Sequence, residues 1–204
     1  MNQKKGMGLG LAALIVTTAG YLIAADAPKS TNAMTPDPAM AQAMMLGTPN
    51  EHHKVLDPLA GRWSVTVKGW MKPGDKAQES KGTAEHVWIM GGRYLKQEFK
   101  GEWAGQPFEG LGFSGYDNVR QEYQTTWLDS MATGMMHVSG SYDPVTKTLK
   151  QSGNFACPMT GEKDRYIRSE WKMTSSNSNT YTSYFKGPDG KEFKGMEIVY
   201  TRMK

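Results

Sequence analysis

From Arg62 to Met203 the chain breaks into about ten strand-like runs, and nothing between them is long enough to hold a helix. The runs are 62–72, 79–90, 93–103, 107–117, 121–130, 134–142, 147–155, 164–174, 180–186 and 192–203. Their connectors include Pro73-Gly74-Asp75, Gly91-Gly92, Asp143-Pro144, Ser175 to Asn179 and Pro188-Asp189-Gly190. Each combines residues that reverse a chain over a few positions. Connections this short make sequential strands antiparallel neighbours. An open sheet of that size would leave two long edges with unpaired backbone groups, and closing it removes both. The pattern therefore predicts an all-β, antiparallel up-and-down barrel. No internal repeat accompanies it.

Period-two alternation assigns the faces. Within 93–103, Lys96, Glu98, Lys100 and Glu102 share one side, so Leu95, Gln97, Phe99 and Trp103 share the inward one. In the first run Trp63, Val65, Val67 and Met71 oppose Ser64, Thr66 and Lys68. In 164–174, Ile167, Trp171 and Met173 oppose Arg168, Glu170 and Lys172. In the last run Met196, Ile198, Tyr200 and Arg202 oppose Glu197 and Thr201. The runs 79–90 and 107–117 do not resolve into two faces.

The first and last runs carry a second signal. Gly61-Arg62-Trp63 opens one and Tyr200-Thr201-Arg202 closes the other. This resembles the floor of lipocalin-type (calycin) barrels, where a guanidinium lies on the ring of a capping Trp as a cation–π pair. Trp63 and Arg202 are the expected floor pair. Upstream, residues 28–50 form a Pro-, Ala- and Met-rich linker with helix signals. Thr35-Pro36 is expected to start one helix carrying Met40, Met44 and Met45 and stopping at Gly47. Thr48 with Glu51 three residues on resembles a capping box for a second, which would plug the barrel floor.

Met1 to Lys5 is basic, Leu9 to Ile23 is mostly apolar and uncharged, and Ala25-Asp26-Ala27 offers small residues at a cleavage site. The segment 1–27 reads as a secretory signal peptide cut after Ala27, its apolar run too short for a spanning helix. The protein is expected in the periplasm or outside the cell, without stable membrane insertion after cleavage. That segment carries a net +1, so the remainder keeps a formal +3 of the whole chain's +4. Its charges are interspersed, with neither the basic stripe nor the motif of a nucleic-acid binder. The lone Cys157 cannot make an internal disulfide. Residues 51–204 must hold together by their core, and about 150 residues suffice for that.

Several strings taken in order suggest a family. Glu51-His52-His53-Lys54, Leu59-Ala60-Gly61-Arg62-Trp63, Gly91-Gly92-Arg93-Tyr94-Leu95, Gly115-Tyr116-Asp117, Trp127-Leu128-Asp129-Ser130 and Tyr200-Thr201-Arg202 resemble Domain of Unknown Function 1579 over residues 51–204. The resemblance implies a lipocalin-like barrel in an exported bacterial protein. It implies no activity and no catalytic residue.

A barrel of about ten strands can enclose one small apolar molecule. Leu95, Phe99, Trp103, Trp171, Met173, Met196 and Ile198 would line that cavity, with Arg93, Gln97, Tyr123 and Tyr200 as polar anchors. The leading expectation is non-enzymatic binding of a small hydrophobic ligand, and its rival is a filled barrel serving as a structural or interaction module. Other chemistries have thinner support. The fifteen Met residues include Met40, Met44 and Met45 near His52 and His53, and Met131, Met135 and Met136 beside His137, donor types that suit Cu(I). Met on a short helix is equally a packing face. Cys157-Pro158 could offer a haem thiolate, but nitrobindin-like barrels, which this chain resembles in fold, use a His late in the chain. The last His here is His137. Asp129, Ser130 and His137 are hydrolase residue types without a nucleophile elbow. Asp129 is expected to bind backbone amides at its turn instead. No phosphate-binding, dinucleotide or zinc fingerprint is present, so no cofactor and no enzymatic activity are expected.

Overall fold

The computed structural model describes residues 37–204, beginning at the helix that leads into the barrel. The expected signal segment, and residues 28–36 of the linker, lie outside the described residues. Helix α1 (Pro38–Leu46) starts two residues later than Thr35-Pro36 suggests, because Asp37-Pro38 supplies both cap and first residue: Asp37 Oδ1 accepts from Ala39 N–H at 2.9 Å. It stops at Gly47 as expected, and none of its residues is buried.

Helix α2 (Glu51–Lys54) is capped by Asn50 and not by Thr48. Asn50 Oδ1 accepts from His52 N–H (3.0 Å), and His53 Nδ1 accepts from Asn50 N–H (3.1 Å), so a His does what a Glu side chain does in the usual capping box. The Thr48 hydroxyl instead donates back to Met44 O at 2.7 Å. A 3₁₀ turn (Asp57–Leu59) then delivers the chain into the sheet.

Ten strands follow: β1 (Gly61–Gly69), β2 (Gln78–Ile89), β3 (Tyr94–Trp103), β4 (Gln106–Asp117), β5 (Glu122–Asp129), β6 (Met136–Asp143), β7 (Thr148–Phe155), β8 (Arg165–Ser175), β9 (Ser178–Lys186) and β10 (Glu192–Arg202). Each pairs antiparallel with its sequence neighbours, and β1 pairs with β10 to close the barrel. The closing register puts Trp63 opposite Arg202 and Val65 opposite Tyr200. The ends are thereby distinguished. One carries α2, the 3₁₀ turn and the short turns after β2, β4, β6 and β8; the other, the distal end, carries the loops after β1, β3, β5, β7 and β9.

Leu56 and Leu59 from the plug are fully buried with Trp63, Val65 and Tyr200. Burying each leucine contributes about 1.5–3 kcal/mol, which ties the plug to the floor. Asn118, in the β4–β5 turn, clamps the same segment. Its Nδ2 donates to Leu46 O (2.7 Å) and Thr48 O (2.9 Å), and its Oδ1 accepts from Asn50 Nδ2 at 2.8 Å.

The inward parity of β4 consists of Phe108, Gly110, Gly112, Ser114 and Tyr116, facing the inward residues of β3. Two inward positions are glycine because the Trp127 ring from β5 lies flat on them, and a Cβ at Gly110 would overlap it. Trp103 covers Gly69 in the same way. A strand whose inward face is filled by a neighbour's ring shows no alternation of its own. Met71, grouped with the inward residues of the first run, proves exposed, because β1 ends at Gly69 and position 71 is already loop.

Candidate functional site

The floor is built as the terminal residues suggest. The Arg202 guanidinium lies 4.1 Å from the Trp63 ring centroid. Its Nε donates to Ser176 O (2.7 Å), Nη1 to Ala60 O (2.8 Å) and Nη2 to Pro58 O (2.9 Å). One side chain thus pins the 3₁₀ turn, the first strand's entry and the β8–β9 turn. Trp63 Nε1 donates to Leu59 O at 2.8 Å.

Directly inside this floor sits His86, which no sequence pattern flags because its strand has no readable faces. It is buried against Trp63, Trp171 and Tyr200. Nδ1 is 2.9 Å from Leu59 O, so Nδ1 carries the proton and Nε2 is a bare acceptor. Burial, opposed by the bond to Leu59 and reinforced by the Arg202 charge, brings its pKa down to about 4, and the ring is neutral near pH 7.

The wall at this depth is polar. Gln97 Nε2 donates to Tyr200 Oη at 3.1 Å. The Thr125 hydroxyl donates to Gln151 Oε1 (3.1 Å) and therefore accepts from Ser114 (2.9 Å), while Gln151 Nε2 donates to Tyr123 O at 3.2 Å. Trp171 Nε1 donates to Asn179 Oδ1 at 2.6 Å. Three fully buried inward groups have an atom with no partner among the described residues: His86 Nε2 and Asn179 Nδ2 beside the floor, and Ser183 Oγ farther along β9, opposite Met196. Buried polar atoms are rarely left so, and such groups mark places where water or a ligand completes the bonding.

The apolar lining is unevenly buried. Inward-facing Trp103, Phe108, Trp127, Phe185, Met196 and Ile198 all remain partly exposed, whereas Trp63, Leu95, Leu149, Trp171 and Tyr200 near the plug are buried. Near the plug the inward-facing Trp88, Tyr116 and Tyr142 are partly exposed as well, so solvent contact is not confined to one end of the lining.

Of the residues expected to line a cavity, Leu95, Gln97, Phe99, Trp103, Tyr123, Trp171, Met173, Met196, Ile198 and Tyr200 belong to this core or pack against it. Phe99 meets Phe108 edge-on at 5.6 Å, and Trp171 stacks on Tyr200 at 5.7 Å. Arg93 does not join them. It stands exposed in the β2–β3 turn with Nη1 donating to Met90 O (3.0 Å), because β3 begins only at Tyr94. The Tyr123 hydroxyl is no free anchor either. It donates to His52 O of the plug (2.9 Å), and burial pushes its pKa up to about 12.

The remaining clusters disperse. Asp129 accepts from Trp127 Nε1 and from Met131 N–H, both at 2.9 Å, the turn role expected of it. The Ser130 hydroxyl accepts from Glu109 N–H at 3.1 Å, and His137 Nδ1 pairs with Thr126 Oγ1 at 3.0 Å on the outer face. No nucleophile–base–acid chain connects these three. Met136 and His137 are strand neighbours and so face opposite sides, while Met131 and Met135 are exposed. Near the plug, Met45 and His52 line a shared surface pocket of about 490 Å³, but His52 is stacked on Tyr116 at 4.4 Å and Met40 and Met44 lie outside it. Among the described residues no group of three or more His, Cys, Asp or Glu side chains gathers as a metal site. Cys157 lies in the β7–β8 loop, its sulfur enclosed by that loop and by Arg165 Nη1 at 3.5 Å, which does not fit a haem thiolate.

Known proteins share this architecture. A family model described as "Protein of unknown function (DUF1579)" matches residues 48–202. No curated protein matches the chain. The crystal structure of Rv2717c from M. tuberculosis is similar with a TM-score of 0.59 at 14% identity, over 77% of this chain and 100% of that one, a likeness of fold. A redesigned β-barrel, b11L5F_LGL, reaches a TM-score of 0.38 at 13% identity over 74% and 96% of the two chains. EF1p2_mFAP2b bound to DFHBI reaches 0.41 at 12% identity over 74% and 98%.

Proposed function

This chain belongs to the DUF1579 family, which carries no assigned activity, so its role has to be read from its own geometry, and we propose that it is a non-enzymatic binder of one small, mostly hydrophobic molecule held in the barrel lumen. The observation that carries this reading is the incomplete burial of large apolar side chains on the inward face. Trp103, Trp127, Met196 and Ile198 point into a closed barrel yet stay in contact with solvent. Accessible apolar surface inside a concave scaffold favours an apolar guest. The unpartnered atoms of His86 and Asn179 beside the floor give the inner end a polar spot that a bridging water can complete. The rival is a barrel filled by its own side chains and acting through its surface.

The export expected of residues 1–27 is part of the proposal, and places the binder in the periplasm or outside the cell. N-terminal sequencing of the protein recovered from a periplasmic fraction should begin at Pro28. Protein found in the cytoplasmic fraction alone, still starting at Met1, would remove export from the reading.

Binding is tested by native mass spectrometry of the purified protein, followed by titration with the neutral fluorophore 1-aminoanthracene. Saturable one-to-one binding that Ile198→Trp abolishes, with the melting temperature retained, supports the lumen site. Absence of any co-purifying mass and of any dye binding would establish the filled-barrel alternative.

A further inference from the structure

Resting on that lumen reading, we infer that the guest carries a carboxylate, and that Arg165 at the distal mouth receives it. Arg165 opens β8 opposite Phe155, on the inward parity shared with Ile167 and Ser169. Its guanidinium lies over the Phe185 ring, 4.7 Å from the centroid, and its side chain is mostly buried. A cation in that setting needs acceptors, and this one is poorly supplied. Nη1 reaches only Cys157 Sγ, a weak acceptor, at 3.5 Å and Thr160 Oγ1 at the long distance of 3.5 Å. Nε is buried with no hydrogen-bond partner among the described residues, and the Glu162 carboxylate nearest it, at 3.6 Å, is too far to accept.

The same strand carries the contrast. Arg168, on the outer face, presents its Nε and Nη2 edge to Glu192 at 3.0–3.2 Å and its Nη1 to Glu170. That is the side-on fork a carboxylate fits best. In Arg165 this edge makes no hydrogen bond, and it stands at the entrance to the partly exposed aromatic lining of Phe155, Phe185 and Phe193. Glu162 covers it loosely, 56% exposed on the β7–β8 loop. An amphipathic acid would lay its tail along the apolar wall and exchange its carboxylate for that of Glu162.

Two ligands of one length separate head from tail: dodecanoate and dodecanol, each competing against 1-aminoanthracene. Dodecanoate is expected to bind about tenfold or more tighter than dodecanol, the difference of one charge-assisted bidentate pair. Arg165→Gln should erase that preference and leave dodecanol within about twofold. Glu162→Gln, a change at an exposed position, should strengthen dodecanoate alone and reads the same site if Arg165→Gln fails to fold. Equal binding of acid and alcohol, unmoved by Glu162→Gln, would overturn the carboxylate assignment while leaving the lumen occupied. Binding of neither ligand would overturn the lumen reading itself.

Discussion

Replacing Arg202 by Met removes the polar head from the floor while keeping an unbranched apolar stem over Trp63. Three guanidinium N–H bonds are lost, to Ser176 O, Ala60 O and Pro58 O at 2.7–2.9 Å, together with the cation–π contact at 4.1 Å. A net bond to a charged donor contributes about 1–1.5 kcal/mol where the carbonyl can be rehydrated, and the ring contact about 1 kcal/mol. The expected loss is therefore about 4–5 kcal/mol, or on the order of 10–15 °C in Tm for a domain of this size. Urea unfolding followed by fluorescence of the six Trp residues measures it, with an unchanged m-value confirming that the native state stays compact. Arg202→Lys should fall between the two proteins, since an ammonium cannot span three carbonyls. A loss below about 1 kcal/mol in Arg202→Met would refute the argument that one residue fastens plug, first strand and β8–β9 turn.

Acid should weaken the fold through His86. Its folded pKa of about 4 lies below the ordinary imidazole value of 6.5, so between those values the unfolded chain binds a proton that the native chain refuses. Stability is then lost as pH falls from about 6.5 to 4, by on the order of 3 kcal/mol, and His86→Leu should flatten that part of the pH–stability curve whatever it costs at pH 7. Gly110→Ala should displace the Trp127 ring, destabilise by about 1–3 kcal/mol and alter the near-ultraviolet circular dichroism, and an unshifted spectrum would deny the ring its place over the glycine. Phe99→Ala should cost roughly 3–5 kcal/mol as a buried aromatic. If it binds 1-aminoanthracene unchanged at one to one, Phe99 is a core residue and not a lining one.

How far the sequence can be read depends on whether a residue's partner is local. Runs and turns are local, and the ten strands fall within three residues of the expected ends. Charged alternation is local too, so Leu95, Phe99, Trp171 and Tyr200 are assignable to the inside from their strands alone. The α2 cap falls on Asn50 and not on Thr48 because its true form needs a His side chain to accept an N–H, a role that capping patterns assign to Glu or Gln. Arg93 is drawn inward by its place in an apolar run, and only the observed start of β3 puts it in a turn.

The architecture is written along the chain. Antiparallel closure follows from strand count and turn chemistry, and the floor pair from two termini that must meet if the barrel closes. The character of the interior emerges only once the barrel has closed. Gly110 and Gly112 read as blanks until Trp127 is seen to fill them from the next strand. His86, Asn179 and Ser183 read as ordinary polar residues until closure buries each with one atom left unpartnered. Arg165 reads as the edge of a loop until its register turns it toward the mouth. Burial and unmet hydrogen bonds are properties of the closed wall, set by residues up to the full length of the barrel away in sequence, and no local pattern encodes them.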